Sequence, residues 1–565
     1  MARRMTKRAL LDRPAIAWAI AALWLAYLVA IPIGYMTIDS LTDDGLTLAA
    51  YVDFFEDPKL RTAMRNSLTV AAGVAVLSVL VGAPLAFGVA RTQMRGRSVV
   101  SAAMIVCLVS PDFLLAMAYI ALAGPNAGYF NQALRTVFEL KTESGPLNIF
   151  TLWGLVLTAL PHGVSYVFLA LVPALRNVDP ALEEASRVQG AGPIETIRDV
   201  TLPLMRPALL SGALLAFSGS LAMYGPPHML RLNVLTISIR ESLVRLDFKA
   251  ASAASMVLIL MSLAALVLYR RSTRQAERFR SVGGKSFSER AGAEGRIAAA
   301  FTVLGVVYVL AVVVVPYGGM TVISLMKSVG MGFSAGNWSF DNYRAVFADP
   351  AVRKAATLSV SLAAATATLV TVMGFVVAYV VIRLKLRGRW LLDYMSIIPL
   401  AVPGTALAIA LAVVYLNPPL NALGLYGGFG ILFVAYLTRF ITFGVRTSQS
   451  SLIQLSPEFE EASRVGGAGG LKTVALITLP MMRQALVYAW LLVFVLALPE
   501  LSASIILKGI HTQTLSTVLL DIWNGNGGLA QACAFGMTMF ASVGLLLLTA
   551  AAIAKRASGG LRIGT

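Results

Sequence analysis

The chain has 565 residues, is 58% hydrophobic and only 13% charged, and its mean hydropathy is +0.77. A soluble domain holds about twice that charged fraction, so these proportions exclude a water-soluble globular enzyme. The formal net charge of +18 raises nucleic-acid binding, but the placement of the basic residues argues against it.

Taken in chain order, Arg3, Arg4, Lys7, Arg8 and Arg13 precede an apolar run from Ala15 to about Met36. The run is too long for the core of a signal peptide and has no small-residue cleavage site near its end, so it reads as a retained first span. Further runs of about 20 apolar residues follow, each long enough to cross a hydrocarbon layer roughly 30 Å thick as a helix. Twelve are predicted, centred near Leu25, Leu77, Val109, Leu160, Leu215, Leu258, Leu310, Val370, Leu407, Val434, Phe494 and Leu546. The runs are continuous rather than alternating, which predicts helices that satisfy their own backbone groups and not a barrel. The expected fold class is an all-α polytopic membrane protein. Cys107 and Cys533 are the only cysteines, both inside predicted spans, and offer neither a disulfide framework nor a metal pattern.

Basic residues gather after even-numbered spans: Arg91, Arg95 and Arg97; Arg270, Arg271, Arg274, Arg278, Arg280 and Lys285; Arg383, Lys385, Arg387 and Arg389; Lys555 and Arg556. The loop after the first span holds Asp39, Asp43, Asp44, Asp53, Glu56 and Asp57. Cytoplasmic loops are the ones enriched in Lys and Arg. The pattern therefore predicts both termini in the cytoplasm and assigns the basic excess to topology and to anionic lipid, with no nucleic acid as partner.

The chain repeats itself. "FFEDP" (54–58) matches "VFADP" (346–350), "RTQMRGR" (91–97) matches "RLKLRGR" (383–389), and Pro111 matches Pro403, all 292 residues apart. "EEASRVQGAGPIETIRDVTLPLMRPAL" (183–209) and "EEASRVGGAGGLKTVALITLPMMRQAL" (460–486) agree at 17 of 27 positions and lie 277 apart. The change of offset places a longer outer loop near residues 124–148. An even number of spans per half gives both copies one orientation, a parallel repeat about an axis along the membrane normal. The expected division is a first half at 1–271, a linker at 272–296 and a second half at 297–565. Within the linker, "GGKS" (283–286) is not a phosphate loop: the position that needs an earlier glycine is Phe279, and no strand precedes it.

The long repeated stretch falls between the fourth and fifth spans of each half, in loops spanning 179–203 and 456–480. Asp179-Pro180 and Ser456-Pro457 supply a cap and a first-turn proline. Glu183, Glu184, Glu460 and Glu461 fall near the positive end of a short helix, and Gly190 and Gly467 stop it. A second short helix is expected to end before "TLP", at Pro203 and Pro480. Ala185, Ser186, Ala462 and Ser463 leave a narrow face able to enter a groove in another protein. A surface amphipathic loop with no partner is the alternative; two copies at equal topological positions count against it.

Both stretches resemble the EAA loop of permease subunits of ABC importers. The motif residues are Glu184, Ala185, Gly190, Val200, Leu202 and Pro203 in the first copy, and Glu461, Ala462, Gly467, Ile477, Leu479 and Pro480 in the second. Serine replaces the second alanine in each, and valine replaces isoleucine in the first. The resemblance implies a fused, two-half permease of type I with two six-helix bundles. It also implies coupling helices docked on two copies of a cytoplasmic ABC ATPase, an extracytoplasmic substrate-binding protein, and the bacterial inner membrane. On this reading the permease catalyses nothing and binds no cofactor, and ATP is used on the partner.

Fused permeases with two such loops occur in the ferric-iron, thiamine and phosphonate branches. "LPELSASIIL" (498–507) and "TLSTVLLDIW" (514–523) are most similar to the ferric-iron branch, which implies ferric iron or a ferric complex as substrate. Four ionisable residues are expected near mid-depth: Asp112, His162, Arg439 and Glu500. Such residues default to functional suspicion. Asp112 and Glu500 suit a hard cation, whereas Arg439 suits an anion or an anionic metal complex. The preferred alternative is an internal Arg439–Glu500 pair with a hydrogen-bonded His162. None has the spacing of a dedicated metal site. A secondary transporter is the rival of another class; it would have no paired coupling loops.

Overall fold

The computed structural model describes residues 15–43, 45–142, 144–277, 295–525 and 528–559. The basic cluster at 3–13 and most of the 272–296 linker, with its "GGKS", lie outside the described residues. Secondary structure among the described residues is helical, apart from two isolated bridges.

Ten of the helices are long and apolar enough to span a membrane. In the first half these are α1 (Ala15–Leu41), α2 (Pro58–Arg91), α5 (Leu152–Arg176), α7 (Ile197–Ala222) and α8 (Phe248–Leu268). In the second half they are α9 (Arg296–Ser324), α10 (Pro350–Leu384), α13 (Phe429–Gln454), α15 (Gly470–Ala497) and α16 (Gly528–Thr549). The predicted third and ninth spans are not straight. Each is a bent pair: α3 (Arg97–Val109) meets α4 (Asp112–Ala123) at 103°, and α11 (Arg389–Ala401) meets α12 (Gly404–Leu416) at 112°.

Proline explains both bends. Pro111 and Pro403 lack an N–H to continue the preceding helix, and each drives the residue before it out of the helical region. Ser110 (ψ 112°) and Val402 (ψ 116°) are accordingly extended. Each proline then starts the second arm. Apolar periodicity cannot show this, because both arms are apolar and count as one run.

The second arms form the centre of the molecule. From Phe113 to Ala118 every residue is at most 1% exposed, and from Thr405 to Tyr415 at most 3%. Outside them the spans of each half cross at repeated points. α2 meets α5 where Gly82 faces Val167, and α10 meets α13 where Gly374 lies on the Gly444 backbone, leaving no room for a side chain. Small residues at such crossings let backbones approach where lipid gives no hydrophobic drive. The "DP" pairs begin equivalent helices: Asp57 accepts from the Lys59 N–H at 2.7 Å, and Asp349 from the Ala351 N–H at 2.8 Å.

The first span of each half packs on the other half. Ala21 and Leu25 of α1 share a core with Val377, Val380, Ile441 and Val445. Thr438 donates to the Leu28 carbonyl at 3.1 Å, and the Tyr27 and Tyr415 hydroxyls meet. Reciprocally, Phe301 of α9 fills the space over Gly88, the Arg95 N–H donates to Thr302 at 3.0 Å, and Tyr317 meets Ser110. The 1–271 and 297–565 units of sequence are thus interlocked in packing.

Candidate functional site

Each half carries an elbow. In the first, α6 (Pro180–Val188) starts where Asp179 accepts from the Ala181 N–H at 2.9 Å. In the second, α14 (Glu458–Val465) starts where the Glu458 N–H donates to Ser456 at 3.4 Å. Gly190 and Gly467 end these helices with φ of +90° and +82°, a region that costs a side-chain-bearing residue about 1–2 kcal/mol. The chain then re-enters a helix at Pro193 or Gly470. This second arm does not stop before "TLP". It runs through a π-helical turn (Ile197–Thr201, Val474–Thr478) directly into the fifth span, so Pro203 and Pro480 sit inside a continuous rod. A proline in the first turn after the π-turn costs little there, because the widened turn has already released the hydrogen bond that the proline would break. The elbow is therefore rigidly joined to α7 and to α15.

The adjacent glutamates of each elbow part company. Glu184 and Glu461 are exposed, as are Ala185, Gly190, Ala462 and Gly467. Glu183 and Glu460 turn inward. Glu183 pairs with Arg91 at 3.3 Å and accepts from Thr201 at 3.0 Å; Glu460 pairs with Arg383 at 3.3 Å and accepts from Thr478 at 3.0 Å. One carboxylate thus ties the elbow to the end of α2 or α10 and to the foot of α7 or α15. Across each elbow the hydroxyls of Ser186 and Thr196 (3.3 Å), or Ser463 and Thr473 (3.1 Å), close the angle.

The second tether is the more enclosed. The Arg383 and Glu460 side chains are 9% and 4% exposed, against 16% and 18% for Arg91 and Glu183. Arg383 also donates to the Leu452 and Leu455 carbonyls at 3.0 and 2.7 Å, and Glu460 accepts from Tyr379 at 3.3 Å. The sequence reading did not single out Arg91, Arg383, Thr201 or Thr478 as members of the elbow. Their signal was present, since each arginine opens one of the two "R-x-x-x-R-G-R" copies and each threonine belongs to "TLP".

The four ionisable residues expected near mid-depth collect at the two bends. His162 and Arg439 are equivalent positions of the repeat (439 − 162 = 277), and so are Asp112 and Gly404 (404 − 112 = 292). His162 Nε2 donates to the Ser110 carbonyl at 2.8 Å, holding α5 to the bend between α3 and α4. Asp112 opens α4 over the first N–H groups of that helix, within electrostatic reach of His162 and Arg439. Gly404 opens α12, and the Arg439 guanidinium occupies the space a side chain there would need. Glu500 lies just past the end of α15 rather than within the span. Its carboxylate accepts from the Ala503 N–H (2.9 Å), the Ser504 N–H (3.1 Å) and the Ser504 hydroxyl (2.9 Å). It stands 3.6 Å from Arg439 Nε. Among the described residues no group of three or more His, Cys, Asp or Glu is placed to hold a metal ion.

Comparison with known proteins follows the same lines. The family model described as binding-protein-dependent transport system inner membrane component matches residues 78–280. The ferric transport system permease protein FbpB of Actinobacillus pleuropneumoniae is 25% identical over 481 residues, covering 83% of this chain and 68% of the relative. The Fe(3+)-transport system permease protein FbpB 2 of Haemophilus influenzae is 23% identical over 543 residues, covering 93% and 97%. A protein described as a probable molybdenum ABC transporter permease of Haloferax volcanii is 30% identical over 209 residues, covering 37% of this chain and 73% of its own length.

Proposed function

This chain belongs to the family of binding-protein-dependent transport system inner membrane components, and from that premise we propose that it moves ferric iron or a ferric complex inward, driven by ATP hydrolysed on a partner. It is a multi-pass membrane protein and the permease of such an importer. Two of the relatives that align along most of the chain are ferric permeases by name, which supports the substrate.

The observation that carries the coupling proposal is the double tether. Each elbow presents Glu184, Ala185 and Gly190, or Glu461, Ala462 and Gly467, outward. The same elbow is fastened through Glu183 or Glu460 to two spans of its own half. On this proposal one copy of a cytoplasmic ATPase grips each elbow, and closure of the pair on ATP moves both. A rigid elbow cannot absorb that motion, so it passes into α7 and α2 on one side and α15 and α10 on the other. The halves then rock about the pseudo-twofold axis, opening the path to one face and then the other. Orientation follows from charge: Arg91, Arg95, Arg97, Arg383, Arg387 and Arg389 stand at the elbow end, which supports a cytoplasmic placement for the elbows and both termini. An extracytoplasmic binding protein delivers the cargo, and the chain itself binds no ATP.

The test is to purify the chain with its ATPase and binding protein, reconstitute the complex in proteoliposomes and follow ⁵⁵Fe. ATP-dependent iron accumulation that needs the binding protein is the expected result. Accumulation of thiamine or a phosphonate instead would keep the machinery and replace the substrate. Uptake driven by an ion gradient with no ATPase would replace the machinery by a secondary transporter.

A further inference from the structure

Hydrogen-bond accounting separates the charges at the two bends. Glu500 has its two carboxylate oxygens engaged by three donors of the turn that follows it. Asp112 opens its own helix beside the Phe113 N–H. Glu500 thus has its acceptors engaged from within.

Arg439 is paired with Glu500 through Nε at 3.6 Å. A guanidinium carries five N–H donors, and those on its terminal nitrogens make no hydrogen bond among the described residues. The Arg439 side chain is still 27% exposed, although it lies against Gly404 at the start of the wholly buried Thr405–Tyr415 segment.

The start of α12 adds open N–H donors beside this ion pair. α12 begins at Gly404 with no side-chain cap, so its first N–H groups are open beside the guanidinium. Asp112 supplies a carboxyl group at the matching place in the first half, whereas the second half has glycine there. Next to it the Thr405 hydroxyl is fully buried and lacks a partner. Open donors with no acceptor in a low-dielectric interior cost free energy unless a ligand completes them. Transporters with broken helices receive anionic groups at half-helix N-termini in this manner.

The structure assigns Arg439, with the start of α12, as the point where the path receives an anion, and we infer that iron crosses as an anionic complex, its ferric ion still held by carboxylate or phosphate oxygens. This rests on the ferric reading above. Planar, forked donors match such oxygens two at a time, which a lysine cannot do.

The experiment uses the full complex in proteoliposomes, with ferric citrate carrying ⁵⁵Fe and ¹⁴C, and ferric pyrophosphate carrying ⁵⁵Fe and ³²P. In the unaltered protein iron and one of the anion labels are expected to enter together in a constant ratio. Arg439→Gln is expected to lower entry of both labels by about tenfold or more, and Arg439→Lys to recover part of it. Binding-protein-stimulated ATP hydrolysis in the same vesicles reports that each variant has folded and assembled; Glu500 keeps its three donors in either. Iron entering without either anion, or both labels entering unchanged in Arg439→Gln, overturns the inference and leaves the ferric reading standing. No iron entry in the unaltered protein, with ATP-driven uptake of another solute, overturns both.

Discussion

Glu460 and Arg383 stand 3.3 Å apart, and Glu183 and Arg91 repeat that contact at the same distance 277 and 292 residues earlier in the chain. Two halves that keep only part of their sequence in common have kept this pair, together with the threonine that shares each carboxylate.

The tethers differ in burial, so their removal should differ in effect. Deleting one member of an enclosed ion pair strands the other and costs about 3–5 kcal/mol. Glu460→Ala, which leaves Arg383 only 9% exposed and its partner gone, should reach that range. Glu183→Ala should cost markedly less, since Arg91 is closer to solvent. Thermal unfolding of the two variants in detergent checks the order. Equal losses would mean that burial does not set the strength of these contacts.

The outward residues should behave in the opposite way. Reversing charge with Glu184→Lys and Glu461→Lys leaves both tethers intact, so insertion and thermal stability should stay within about 0.5 kcal/mol. ATP hydrolysis should continue while uptake falls by at least an order of magnitude. Full uptake by the double variant would remove these glutamates from the contact with the ATPase.

Gly190 and Gly467 have open space around them, so only their backbone conformation is at stake. Alanine at either should cost about 1–2 kcal/mol, and asparagine less, because its side chain tolerates the left-handed region. Uptake should rank glycine, asparagine, alanine. If alanine matches glycine, the elbow does not need its left-handed turn.

Gly404 is constrained by a neighbour instead. A valine there must displace the Arg439 guanidinium and press on Ser502. Gly404→Val is therefore expected to lower the unfolding temperature and to make Arg439 more reactive toward a guanidinium-directed reagent. An unchanged reactivity would show that the two groups are not in contact in the membrane.

The exchanged first spans make a prediction about halves. Expressed alone, residues 1–271 or 297–565 would expose the α1 or α9 face now covered by the other half, and neither should accumulate in the membrane. Co-expressed, the two should assemble and support uptake. Quantitative immunoblotting of membranes from the three strains decides this.

Much of this protein is written in local pattern. Apolar runs of span length, "DP" starts and the duplicated "EEASRV-GAG" elbow are all properties of neighbouring residues, and the helical membrane-spanning class, the repeat and the family resemblance followed from them. The tether arginines were visible in the repeat, yet nothing local tied Arg91 to Glu183 across 92 positions. Folding of the third and ninth runs at Pro111 and Pro403 was hidden because hydropathy sums both arms alike. The exchange of first spans, the split between inward and outward glutamates, and the meeting of Arg439 with Gly404 depend on which faces are pressed together. A one-dimensional pattern records how apolar a face is, and packing alone decides what that face meets.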